Sequence, residues 1–467
     1  MVGRAKPKAV AVIRRTVHWL DERAGVAPIV RKSLRYLFPD HWSFLLGEVA
    51  LYSFIVLVAT GIYLTFFFVD STHEVVYTGS YAPLHGQQMS EAYRSVLNLS
   101  LSVKAGLLLR QTHHWAADVF VASIILHLFR VFFTGAYRRP RDLTYYIGVT
   151  MLVLALLEGY MGYSLVDDLM SGMGLFIGYS VGLSIPFVGA NLMEWLFRGP
   201  FPGDETFLPR LYTAHVLLFP VLIGTLLAVH LVLVAAKHHT QFRERRATER
   251  SVVGVPTWPG QTPRSLGLML SVAGVLFLLG GLVQINPIWE WGPFETYQST
   301  NGAQPDWYLG WLIGGLRLVP GWDWVVGKYT LVPNPFWGGV AFPTIVVGFL
   351  YLWPWLERRF TADVTFHNVL DRPRDAPWRT AIGVWFVSWV LLVFIAGSAD
   401  RIDVLFGISY TSQIWAFRVI ALAGPFVCAA IAYRVCRELQ AGERVERERK
   451  VAEAESEAAE AEAVLVE

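Results

Sequence analysis

Eight apolar blocks interrupt this sequence, at residues 43–69, 107–133, 143–163, 211–236, 265–284, 336–355, 379–398 and 412–433. Each is close to the roughly 20 residues a helix needs to cross a hydrocarbon layer about 30 Å thick. A chain built this way does not fold around one water-excluded core. In lipid every backbone N–H and C=O must find a partner, and a helix supplies all of them within itself. The expectation is an all-α polytopic membrane protein with eight transmembrane helices, lettered A to H. Composition agrees: 16% of residues are charged, where a soluble domain carries about 25%.

An even number of spans puts both termini on one side, and the loops decide which. Segments 1–42, 134–142, 237–264, 356–379 and 434–467 hold 29 Lys and Arg, against 8 in the alternate loops 70–110, 164–210, 285–335 and 399–411. The first set is expected in the cytoplasm, so both termini are cytoplasmic. The first 42 residues show no apolar core followed by a small-residue cleavage site, so no cleaved signal peptide is expected. The long outer loops are rich in Gly, Pro and aromatics, and loops of that length are usually functional. Residues 441–467 are rich in Ala and Glu without an apolar face, which reads as a solvated or disordered tail. The chain shows no internal repeat. A net charge of +2 gives no footprint for nucleic acid. Its two cysteines, Cys428 and Cys436, form no CxxC or CxxCH, which excludes a Cys-ligated cluster or a thioether-bound haem and leaves them as membrane-helix residues.

Histidines at membrane depth come in two pairs, His113 with His127 on B and His215 with His230 on D. Separations of 14 and 15 residues place partners about 21 and 22 Å apart along each axis, turned by about 40° and 60° from perfect alignment. Each helix therefore offers two imidazoles to one side at two depths. B and D run in the same direction, so facing helices would make two bis-histidine stations, His113 with His215 outside and His127 with His230 inside. A neutral imidazole is a good ligand for haem iron. Singly, each histidine also reads as a satisfied core residue. Gly47 and Gly61 on A, and Gly148 and Gly162 on C, repeat the 14-residue step. Glycine lets a backbone approach a flat macrocycle closely, and it also serves ordinary helix packing in membranes. Arg110, Arg210 and Arg130 lie on the water side of His113, His215 and His127, as partners for haem propionates or, for Arg130 equally, as a snorkelling cation. His114 points about 100° away from His113 and is left out as a ligand.

Jointly these motifs resemble the cytochrome b subunit of the quinol:cytochrome c reductase, the cytochrome bc complex. The resemblance covers residues 40–435 and rests on Leu45-Leu46-Gly47, Arg110 to His113-His114-Trp115, His127 to Arg130, Gly162-Tyr163-Ser164-Leu165, Arg210 to His215, His230, and Pro305-Asp306-Trp307-Tyr308. It implies a four-helix bundle A–D (residues 43–236) holding two haem b groups, the low-potential one on His113 and His215 and the high-potential one on His127 and His230. A cytoplasmic loop (237–264), helices E–H with an outer quinol loop (265–433) and a charged tail (434–467) follow. It also implies quinol oxidation at the outer face, quinone reduction at the inner face, and propionate contacts for Arg110, Arg210 and Arg130. Asp306 stands where the family carries Glu and is the expected proton acceptor, with Tyr308 and Tyr163 in the outer pocket. The shorter acid, and termini longer than the mitochondrial pattern, resemble actinobacterial menaquinol users.

The family's Gly-Tyr-x-Leu-Pro-Trp-Gly is here Gly162-Tyr163-Ser164-Leu165-Val166-Asp167-Asp168, so the pocket floor must be built differently. Asp167 and Asp168 read equally as proton-path or helix-capping residues. Lys237, His238 and His239 follow His230 and serve either the inner quinone or a basic anchor. This chain has no ligands for the acceptor of the second electron, and the resemblance implies a Rieske iron–sulfur protein and a cytochrome c subunit. It further implies a homodimeric complex among membrane lipids, joined to a terminal oxidase in a bacterial plasma membrane. The rival readings are the dihaem anchor of another quinone-linked dehydrogenase, usually of about five helices, and a haem-free transporter, which would show broken helices at mid-membrane.

Overall fold

The computed structural model describes residues 7–25, 27–243, 246–300 and 304–466. Eight of its helices are long and apolar enough to span a membrane: A (Trp42–Thr65), B (Gly106–Phe133), C (Asp142–Ser164), D (Phe207–Lys237), E (Thr257–Leu282), F (Trp337–Thr361), G (Pro377–Ala396) and H (Tyr410–Ala458). Each covers one expected apolar block. Each contains a stretch of high mean hydropathy with few charges, long enough to cross the lipid.

Helix A packs along B, E lies against both, D packs on C, F touches C, and G pairs with H. The space between A, B, C and D is closed at mid-depth by a plug of Ala50, Phe120, Val121, Ala155 and Ile223, with Phe54 packed against it. Phe54 and Phe120 have ring centroids 5.6 Å apart. Phe120 is seven residues from both His113 and His127, so the plug separates the two histidine levels.

Helix D departs from regular geometry. Residues Ala214–Leu218 form a π-helical turn, which takes up one extra residue without adding a turn. That is the physical reason a 15-residue step on D matches a 14-residue step on B: the surplus is absorbed within the turn that holds His215.

The face opposite the Lys/Arg-rich loops, here the far face, is a layer of docked loops. It contains helices Glu91–Leu101, Leu169–Leu183, Gly189–Phe197 and Gly310–Leu318. Asp168 begins the second of these: its Oδ1 accepts from the Ser171 N–H at 2.8 Å, and the residue is fully buried. Asp168 therefore caps this helix, one of the two roles open to it. Tyr93 donates to the Ile288 carbonyl at 2.9 Å and anchors the E–F loop on this layer.

At the basic face, Arg141 donates to the carbonyls of Lys237, His238 and His367 and to Asn368 Oδ1, tying the end of D to the F–G loop. Beside it Arg379 holds Glu357 at 2.7 Å and Asp371 at 3.0 Å, all nearly buried. Of the tail expected to be solvated or disordered, the described side chains are solvated, and the backbone is helical, continuing H to Val466. Glu443 at its start pairs with Arg372 and Arg374 of the F–G loop, and its exposed surface carries three i,i+4 ion pairs, Arg444–Glu448, Glu446–Lys450 and Arg449–Glu453, which support the helix.

Candidate functional site

His113 and His215 face each other across the bundle with ring centroids 6.3 Å apart and planes at 80°. Each expected glycine meets a different histidine. A Cβ built on Gly61 would lie 3.3 Å from His113 Cε1, on Gly162 2.6 Å from His215 Cε1, on Gly47 3.4 Å from His127 Cε1, and on Gly148 3.8 Å from His230 Cε1. Helices A and C thus leave out side chains at the four places where the imidazoles need room.

The polar atoms around these rings fit a bis-imidazole haem. Nδ1 of His127 and of His230 is buried without a hydrogen-bond partner. Glu158 Oε1 is 3.0 Å from His215 Nδ1 but is not aligned as a hydrogen bond. Thr60 gives its own proton to the Val56 carbonyl at 2.7 Å and so accepts from His113 Nδ1 at 2.9 Å, which leaves His113 Nε2 free to ligate. Nε of Arg110 and of Arg130 is also buried and unpaired. Among the described residues no group of three or more His, Cys, Asp or Glu could hold a bare metal ion.

The three arginines differ. Arg110 is 8% exposed and spends one amine on the Asn286 carbonyl at 3.2 Å. Arg130 lies over the Phe44 ring at 4.1 Å. Arg210 donates from one amine to the carbonyls of Trp195 and Leu196 at 3.2 and 3.3 Å, at the end of helix Gly189–Phe197.

On the far face the three residues of the quinol-site expectation come together. Asp306 opens the turn Trp307–Leu309; Tyr308 donates to its Oδ2 at 2.9 Å. Tyr163 and Tyr308 share one buried cluster with Met170 and Phe120. The other oxygen of Asp306 lies 2.6 Å from His114 Nε2, and both side chains are 12% exposed. Burial pushes the Asp306 carboxyl up, but the His114 imidazole and the hydrogen bonds from His114 and Tyr308 outweigh it and hold the acid below its usual range. Burial and the Asp306 carboxylate push the Tyr308 phenol well above its ordinary value, so it remains a donor. Burial likewise raises Asp167 and Asp168 to about 6.

On the basic face a cavity of about 830 Å³ runs from His127, His230, Gly47 and Gly148 to the start of helix E, within the range of cofactor sites. His238 and His239 line it and Lys237 does not. Tyr36 Oη is 3.2 Å from His239 Nδ1, and burial, with Arg130, Arg141 and His238 nearby, lowers His239 to about 4 and keeps it neutral.

Sequence reasoning followed the histidines and passed over three acids at membrane depth: Glu48, Asp118 and Glu158. Asp118 lies one turn beyond His114 on B, with Oδ1 buried and unpaired. A lone carboxylate inside an apolar run was the available signal. His114, left out as a ligand, meets Asp306, a partner 192 residues distant.

A membrane bundle that stacks two facing pairs of imidazoles has the architecture of a membrane cytochrome. Known proteins narrow the class. Residues 118–293 match the family described as cytochrome b(N-terminal)/b6/petB. A cytochrome bc1 complex cytochrome b subunit of Streptomyces coelicolor is 43% identical over 438 residues, covering 94% of this chain and 80% of the relative. The protein of that name from Mycobacterium leprae is 44% identical over 445 residues, covering 95% and 80%. A solved hyperthermophilic respiratory Complex III chain matches in fold with a TM-score of 0.66 at 22% identity, covering 89% of this chain and 99% of that one. The chain belongs to the family of cytochrome b subunits of the cytochrome bc1 complex.

Proposed function

We propose that this chain is the dihaem subunit of a respiratory quinol:cytochrome c oxidoreductase, oxidising quinol at its far face and reducing a quinone at its basic face. The observation that carries the reading is the one-to-one match of four glycines to four histidines at two depths. His113 with His215 and His127 with His230 would hold the two haem b groups, which when bound supply one-electron carriers across the bilayer. Arg110 and Arg130, each with a buried unpaired nitrogen, would meet propionates; Arg210 would do so through the nitrogens it does not give to the Trp195 and Leu196 carbonyls.

The residues of this chain handle protons and position. Oxidising a quinol releases two electrons and two protons, so the far site needs a base beside an apolar slot. Asp306 is that base: its lowered pKa keeps it ionised and ready to accept, and Tyr308 and His114 fix its two oxygens. Tyr163, Tyr308 and Met170, packed in one buried cluster, would supply the apolar wall. One electron would be carried inward by haem held at the two histidine stations, against the membrane potential, work of about 2.3 kcal/mol per 100 mV for a full crossing. The other leaves through a Rieske iron–sulfur protein and a cytochrome c subunit. An Asp in place of Glu favours menaquinol. The complex is a homodimer joined to a terminal oxidase in a bacterial plasma membrane, with both termini cytoplasmic as the loop charges direct. Asp306→Ala in the purified complex should keep both haems and slow quinol oxidation on the order of 100-fold; unchanged turnover would remove Asp306 from the mechanism.

A further inference from the structure

The cavity at the basic face contains a carboxylate that neither haem ligation nor quinol oxidation uses. Among the described residues lining it, the acids are Asp40 and Glu48. Asp40 pairs with Arg264 at 2.9 Å where both are exposed, at the mouth. Glu48 is inside, one residue after the glycine that faces His127, and three side chains hold it. Tyr52 and Ser265 donate to Oε2 at 3.0 and 2.8 Å, and Gln261 donates to Oε1 at 3.1 Å. Two of those donors come from helix E, so the acid bridges A and E beside the inner histidine station. An ionisable group with this much fixed geometry at membrane depth is expensive unless it has a task.

We propose that Glu48 is the proton donor to the quinone reduced at the basic face; this rests on the function proposed above. Two electrons arriving singly from the inner station make both quinone oxygens basic. Glu48 takes a proton from the aqueous mouth and passes it to one oxygen, forming an O–H and returning to the carboxylate that its three donors hold. The second proton reaches the other oxygen from the aqueous phase at the mouth, and the product is the hydroquinone. Both protons enter through that mouth, past Asp40 and Arg264. Tyr52, Ser265 and Gln261 are positioning residues that keep the carboxyl aimed between turnovers.

The test uses the whole purified complex. The inner haem is reduced by a limited amount of quinol, and its reoxidation by added menaquinone is followed by stopped flow in wild type, Glu48→Gln and Glu48→Asp. The glutamine variant should retain both haems and the inner midpoint potential while reoxidation slows on the order of 100-fold, the lower end of what a general acid contributes. Glu48→Asp should restore part of the rate. A wild-type rate in Glu48→Gln overturns the assignment. Should that variant not assemble with both haems, Glu48→Asp decides alone: slowing of several-fold supports the role, and a wild-type rate overturns it. Failure of the underlying reading looks different, because then the wild-type inner haem is not reoxidised by quinone at all.

Discussion

Replacing Gly162 by alanine tests the glycine–histidine register at its tightest point. The added carbon would stand 2.6 Å from His215 Cε1, about 0.9 Å inside the roughly 3.5 Å at which carbon atoms rest. The methyl group points at the ring itself rather than at a flexible chain end, so the imidazole or the backbone of helix C must move. Overpacking of this kind costs about 1–3 kcal/mol, which weakens haem retention at the far-face station roughly 5- to 150-fold at 1.4 kcal/mol per tenfold. Gly148→Ala is the internal control, because its new carbon lies 3.8 Å from His230 Cε1, an ordinary contact. The assay is haem b per chain together with an anaerobic redox titration. Gly162→Ala should lose or shift one of two components, the same one lost in His113→Ala, while Gly148→Ala resembles wild type. Equal effects from the two substitutions, or wild-type haem content and potentials in Gly162→Ala, would refute the register.

His127→Ala should remove the inner haem and leave the outer, read as loss of one component in the titration. His114→Gln should alter the pH dependence of quinol oxidation. Asp306 acts when ionised, so activity fades as pH falls through its pKa; removing the imidazole that depresses that pKa moves the acidic limb to higher pH, and an unmoved limb would contradict the pairing. Arg379→Ala strands Glu357 and Asp371 as buried charges and should cost about 3–5 kcal/mol, measured as a lowered melting temperature of the purified complex, with partial recovery in Arg379→Lys.

The eight spans were legible because hydrophobic length is a local property, and each apolar block became one helix. The register of Gly47, Gly61, Gly148 and Gly162 with the histidines was legible because a 14-residue step survives in any straight helix. The extra residue on D was visible as a number, but its resolution in the π turn at Ala214–Leu218 was not, since periodicity assumes 100° per residue throughout. Contacts made by loops far apart in sequence were beyond reach: nothing local ties His114 to Asp306, or turns Arg210 toward the Trp195 carbonyl. Glu48 was overlooked because its three donors come from both A and E. The tail's exposure was legible in its lack of an apolar face, while its order as a helix rests on i,i+4 charge pairs that an apolar-face criterion does not weigh.

The measurement that bears most directly on the dihaem reading is a dithionite-reduced minus oxidised spectrum of the purified complex, with haem b counted per chain and titrated against potential. Two haems b per chain, reducing at separate potentials and each lost singly with one histidine pair, is the result predicted. One haem or none in well-folded protein would contradict it, and the histidine pairs would then be structural.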